Sequence, residues 1–224
     1  MDKICDVDGY FIDGLFLFSA LIPIHMNGFI LASQSPRRKQ LLSWADIEFD
    51  VLVSEAAEDF PADMDVQDVP VFIAQKKAIA VQEKIKAEFP THQGKWIIAA
   101  DTIVVLENEI IGKPMDRADA ITILQKLSGK THRVITGVYL INDTESRNFS
   151  ETTLVHFHPL TLSQIEYYVD QYQPYDKAGA YGIQDWIGVV GIRGIEGDFY
   201  NVMGLPVSKL LGYLPTTRST TTTK

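Results

Sequence analysis

One cysteine, Cys5, is present in 224 residues, so the chain has no intramolecular disulfide and no zinc site built on paired thiolates. That suits a reducing compartment, and a cytoplasmic location is expected. Basic charge is also in deficit, with 20 Lys and Arg against 29 Asp and Glu for a formal charge of -9. Nucleic-acid-binding domains ordinarily carry the opposite excess, so no nucleic acid polymer is expected as a partner. Any anion site must be a local basic pocket. Long apolar runs are missing as well. The nearest candidate, Tyr10 to Ile24, is broken by Asp13 and too short to span a bilayer. Asp2, Asp6 and Asp8 precede it where a signal peptide would be basic, so neither a signal nor a membrane anchor is expected. There is no internal repeat and no GxGxxG fingerprint. Ser128-Gly129-Lys130-Thr131 resembles the end of a Walker A loop, but Leu124 stands where its first glycine belongs.

What remains is an ordinary globular composition: 46% hydrophobic, 22% charged, mean hydropathy +0.02. Met26 stands just ahead of the first convincing strand. Residues 1–28 therefore read as a leader outside the fold, 29–214 as the folded domain, and 215–224 as a polar disordered tail. Helical and strand signals alternate between these ends, which predicts an α/β architecture. Strands are expected at Phe29–Leu31, Glu48–Val53, Trp96–Leu106, Arg133–Ile141, Asn148–His156 and, briefly, Ile187–Ile192. One helix is predicted with Val69, Phe72, Ile73, Ile79 and Ala80 on its apolar face, and a second with Ala120, Leu124 and Leu127, stopped by Gly129. Others run from Thr161 to Tyr172 and after Leu205. The segment Glu55 to Asp68 reads as an acidic loop, and Asn142-Asp143 as a hairpin turn.

The most informative stretch is Leu31 to Leu42, LASQSPRRKQLL, where a strand runs into a helix. Ser35 suits the N-cap and Pro36 the first helical position, so free N–H groups and the positive end of the helix dipole point toward Ser33 and Ser35. Arg37 and Arg38 then lie in the first turn, where cations are unfavourable unless an anion compensates them. A phosphate would do so, since charge-assisted hydrogen bonds contribute roughly 1.5–3 kcal/mol each. The second signal is Asp101-Thr102 inside the apolar run IIAADTIVV, because a buried carboxylate is costly unless paired or metal-bound. Lys113 lies between Gly112 and Pro114 after the Glu107-Asn108-Glu109 turn, which should hold it in place. Lys76 and Lys77 point about 100 degrees apart on their helix, so only one can face a given pocket. The side-chain amide of Gln184 can match the O4 acceptor and N3–H donor of uracil or thymine, a pattern that cytosine reverses.

Together, LASQSPRR, AADTIVV, GKP, YDKAGAYGIQ and GDFYNVMGLP occur in the order and spacing of the Maf family of nucleotide pyrophosphatases, which this chain resembles from about Ile30 to Leu214. The form DKAGAYGIQ resembles the dTTP/UTP branch more than the branch acting on 7-methyl-GTP. The resemblance implies an elongated mixed sheet with flanking helices in two lobes around a cleft, similar to the ITPase fold, usually as a homodimer. It implies hydrolysis of pyrimidine nucleoside triphosphates to monophosphate and pyrophosphate with Mg²⁺ or Mn²⁺; modified pyrimidine nucleotides are expected as further substrates because a Gln184 contact at O4 and N3 would leave C5 unread. Carried over by position, Asp101 matches the catalytic proton acceptor. Arg37, Thr102 and Gln184 match positions linked to substrate choice, and Ser33, Arg38, Lys77 and Lys113 match the phosphate-binding set. Asp101 and Glu58 match the metal-holding carboxylates; the acidic loop varies in length, which keeps Glu55 as the alternative to Glu58, and Asp101 as base or as metal ligand stays open. The family's association with septum formation gives the alternative function, a nucleotide-binding regulator of cell division with little or no catalysis.

Overall fold

The computed structural model describes residues 28–215. The expected leader (apart from Gly28) and the expected tail (apart from Pro215) lie outside these residues. Seven strands form one mixed sheet: β1 Phe29–Leu31, β2 Phe49–Val51, β3 Ile97–Leu106, β4 Glu109–Ile111, β5 Thr131–Ile141, β6 Ser146–Phe157 and β7 Ile192–Glu196. Their order is β2-β1-β3-β5-β6-β7, with β4 hairpinned onto β3. β1 runs parallel to β2 and β3, while β3, β5, β6 and β7 pair antiparallel in succession. The helices are α1 Pro36–Trp44, α2 Val69–Glu88, α3 Arg117–Leu127, α4 Leu162–Tyr172, α5 Trp186–Gly191, α6 Phe199–Met203 and α7 Val207–Leu211. This is the mixed α/β architecture expected. Among the described residues no helix is long and apolar enough to cross a membrane.

Strand alternation divides the core in two. Side chains of β3 point alternately to opposite faces. Ile97, Ala99, Ile103 and Val105 pack on one side, where Ala74, Ala78, Val81 and Ile73 of α2 cover the sheet. Ile98, Ala100, Val104 and Leu106 face the other side, against Leu41 and Leu42 of α1, Leu124 and Leu127 of α3 and Ile165 of α4. The two faces meet the same interruption: Asp101 falls on the α2 side and Thr102 on the α1 side.

Three local expectations need correction. The buried stripe of α2 is Val69, Pro70, Ile73, Ala74, Ala78, Val81 and Ile85, with Ile79 38% exposed and Phe72 and Ala80 only partly buried. The backbone of the first turn lies directly on Gly137 of β5, where a Cβ would meet the Val71 nitrogen at 2.2 Å, and this contact sets which side of α2 faces the sheet. The run Ile187–Gly191 is helical, and the strand begins only at Ile192. Its β-branched residues favour a strand locally, but Gly188 sits so close to the Ile183 carbonyl that a Cβ would meet that oxygen at 1.8 Å. A local turn, with the Gly188 N–H donating to the Asp185 carbonyl, therefore overrides strand propensity there. Ser35 is the N-cap residue of α1, as expected, but its side chain makes no capping hydrogen bond; its own N–H donates to Ser33 Oγ at 3.2 Å.

Candidate active site

β1 pairs with β3 only through Ile30 and Leu31, after which the chain turns away into α1. The edge of β3 is thereby uncovered at Asp101 and Thr102. A cleft opens at the carboxyl end of β1, the position where open α/β sheets receive ligands. Asp101 enters from one face of the sheet and Thr102 from the other, and both line the same cavity with Arg37, Arg38, Lys77, Lys113 and Gln184. A groove sharing Arg37, Arg38, Lys77 and Lys113 continues past Ser33, Glu55 and Glu58. Every residue expected at the site thus lines one continuous cleft.

Arg38 is the side chain that joins the elements. Its Nε donates to the Gly204 carbonyl at 2.8 Å, Nη1 to Ser33 Oγ at 3.2 Å and Nη2 to Thr102 Oγ1 at 3.0 Å. Burial lowers its pKa, against the opposing field of Asp101. Thr102 lies within 2.9 Å of the fully buried Thr136, its register partner on β5, and Thr136 donates to the Asn201 carbonyl at 3.0 Å. With the Thr136 proton spent on Asn201, the Thr102 hydroxyl donates to Thr136 and accepts from Arg38. Arg38, Ser33 and Thr102 are therefore preorganised by one partly buried polar chain that ends on the buried Thr136 and Asn201.

Lys77 Nζ lies 2.7 Å from Asp101 Oδ1 and 2.7 Å from Glu58 Oε1. The neighbouring Lys76 turns away, to Asp59 on the acidic loop. Helical geometry separates the two lysines, as their adjacency requires, and places Lys77 in the cleft. Glu58, rather than Glu55, shares that ammonium with Asp101. The hydrogen bond from Lys77 holds the Glu58 carboxyl below the usual range despite partial burial, and the charges of Lys77, Lys113 and Arg38 add to it. Lys113 lines the cleft without an ion pair among the described residues. Five cations (Arg37, Arg38, Lys77, Lys113, Lys177) face four carboxylates (Glu55, Glu58, Asp101, Asp176) there, so the cleft is net positive in a chain of charge -9.

Two members went unrecognised in the sequence. Asp176 accepts from Arg37 Nη1 at 3.1 Å and from Lys177 Nζ at 2.7 Å. Burial opposes its ionisation, but these two cations hold its carboxyl below the usual range. Both residues belong to the stretch YDKAGAYGIQ, where only the long-range partner of Asp176, Arg37, would have revealed a role. Gln184 is exposed at the cavity edge, its Nε2 donating to Asp185 Oδ1 at 3.2 Å.

The donor set bears on a metal. Among the described residues no three His, Cys, Asp or Glu side chains gather in one place. Two carboxylate oxygens, however, converge on one cationic point, now held by the Lys77 ammonium. Two carboxylates fit Mg²⁺ or Mn²⁺, ions that commonly complete an oxygen shell with water and substrate phosphates.

The model of the family described as Maf-like protein matches residues 28–217. A dTTP/UTP pyrophosphatase of Porphyromonas gingivalis is 48% identical over 186 residues, covering 83% of this chain and 92% of its own. Proteins of the same name from Cytophaga hutchinsonii and Bacteroides thetaiotaomicron are 47% and 44% identical, covering 85% and 83% of this chain and 84% and 93% of theirs. Among solved structures, that of the Staphylococcus aureus Ham1 protein aligns over 58% of this chain and 71% of its own, at 16% identity and a TM-score of 0.37. With a family match over nearly the whole described chain and relatives at this identity, the chain belongs to the Maf-like protein family.

Proposed function

We propose that this chain hydrolyses dTTP and UTP to the nucleoside monophosphate and pyrophosphate. The observation that carries the reading is the meeting of Asp101 and Glu58 on Lys77, beside the half-buried Arg38 and Lys113, which has no ion pair among the described residues. The names of the relatives supply the substrate. Arg38, Ser33, Lys77 and Lys113 bind the triphosphate. Their charge favours the transition state most, because negative charge accumulates on the leaving pyrophosphate as the α-phosphorus is attacked. Asp101 directs Oδ1 toward the cationic point, and its second oxygen takes a proton from the attacking water. Asp101 and Glu58 would also hold a divalent ion, whose chemistry when bound is to neutralise phosphate charge. Arg37, Thr102 and Gln184 select the nucleotide, with Asp176 fixing Arg37 through their ion pair. Residues 29–214 form the catalytic unit, as a homodimer in the cytoplasm; the family resemblance supports the dimer and the single cysteine supports the compartment.

A panel of nucleoside triphosphates assayed with Mg²⁺ for pyrophosphate tests the reading. Turnover of UTP and dTTP well above that of CTP and purine nucleotides is expected. No turnover of any pyrimidine nucleotide would end it.

A further inference from the structure

Gln184 is a side chain whose chemistry depends on which way round it sits. The oxygen and nitrogen ends of an amide have nearly the same shape and opposite hydrogen-bonding roles. A chain of contacts fixes the choice. The Gly182 N–H donates to the Tyr168 hydroxyl at 3.0 Å, and that hydroxyl donates to Asp185 Oδ2 at 2.8 Å. These directions are forced, because a peptide N–H only donates and a carboxylate only accepts. Tyr168 is fully buried, and burial together with Asp185 raises its pKa well above the usual value, which keeps the donor proton in place. Asp185 is therefore an acceptor at both ends, and Oδ1 takes the nitrogen of Gln184. Gly182 supplies an independent observation. A Cβ there would lie 2.5 Å from Asp185 Oδ2 and 2.7 Å from Gln184 Nε2, so the carboxylate and the amide nitrogen fold over a space that a side chain would fill.

Resting on the pyrimidine reading above, we infer that Asp185, backed by Tyr168, is a positioning residue that orients the Gln184 amide and thereby sets the preference for uracil and thymine over cytosine. With its nitrogen end tethered, Gln184 offers its carbonyl oxygen to a base N3–H and its second N–H to O4. Cytosine reverses both roles, with an unprotonated N3 and an amino group. To read cytosine, the amide must turn round and set its oxygen against the Asp185 carboxylate, two acceptors with no proton between them. Discrimination thus comes from the contact behind the base as well as from the base itself.

The test is the ratio of kcat/KM for UTP to that for CTP, measured by pyrophosphate release on the full chain. Asp185→Asn replaces the acceptor with a group that can also donate to the Gln184 oxygen, so both orientations become available. The ratio should fall by about three- to tenfold, with CTP gaining as UTP loses. In Gly182→Ala the added Cβ meets the Asp185 carboxylate and the Gln184 amide nitrogen, which must shift, and the same ratio should fall. This variant decides the matter if Asp185→Asn fails to fold. A purely structural role would depress UTP and CTP together and leave the ratio unmoved, and that result would overturn the inference. A wild-type protein that turns over neither UTP nor dTTP would instead overturn the activity on which it rests.

Discussion

Replacing Lys77 with methionine separates the two carboxylates from the cation between them. Asp101 Oδ1 and Glu58 Oε1 each lie 2.7 Å from Lys77 Nζ, so they are no more than twice that distance apart. At an effective dielectric of about 20, two unit charges so placed repel by about 3 kcal/mol. Glu58 is 51% exposed, and water reduces this to about 1–2 kcal/mol. A divalent ion entering Lys77→Met would relieve that repulsion and would no longer compete with an ammonium for the same oxygens. Mn²⁺ should therefore bind the nucleotide-free variant up to about tenfold more tightly, since 1.4 kcal/mol is a factor of ten. Turnover should fall by about 100-fold as the phosphates lose their lysine. Isothermal titration calorimetry with Mn²⁺ reads the first effect without any reaction. Unchanged or weaker Mn²⁺ binding by the folded variant would refute a metal position between Asp101 and Glu58.

Asp101→Asn should abolish measurable turnover while moving the thermal midpoint by only a few degrees, because the amide oxygen still accepts from Lys77; scanning calorimetry beside the pyrophosphate assay checks both. Gly137→Ala puts a Cβ 2.2 Å from the Val71 nitrogen and 2.3 Å from the Pro70 carbonyl carbon, so α2 must shift. A loss of about 1–3 kcal/mol in urea unfolding is expected, with reduced activity because α2 carries Lys77. Burial first, and His156 second, push the His132 imidazole down from 6.5 to about 4. The unfolded chain then binds the proton that the folded one refuses, so the stability is complete above pH 6.5 and falls by about 3 kcal/mol as pH drops toward 4. Urea midpoints across this range should show a shallower slope for His132→Phe, and equal slopes would refute the assignment.

The parts of the site that rest on short-range rules were legible from the residues alone, whereas the choice of Lys77 over Lys76 and of Glu58 came with the family resemblance. Pro36 marks the start of α1, and the alternation of β3 sends Asp101 and Thr102 to opposite faces of an apolar strand. Both statements need only a few neighbouring residues. Partnerships across the fold were not legible. Asp176 meets Arg37 from the far side of the cleft, and the sequence around either residue contains no sign of the other. The buried stripe of α2 turned on Gly137, a residue of another element, whose close contact with the Pro70–Val71 backbone sets the rotation of the helix and leaves Ile79 exposed. A β-branched run became α5 for a local reason, the close turn of Gly188 onto Ile183, which strand propensity alone does not show. His132 and Tyr181, 2.7 Å apart in the core beside the Gln184 loop, belong to strands and turns whose proximity follows from topology alone.

In the proposed reaction, water attacks the α-phosphorus of a pyrimidine nucleoside triphosphate at Asp101. Hydrolysis of dTTP in water labelled with heavy oxygen tests it most directly, with the products separated and weighed by mass spectrometry. The label is expected in the nucleoside monophosphate, with the pyrophosphate unlabelled. Label in pyrophosphate, or in orthophosphate released from the γ position, would contradict it.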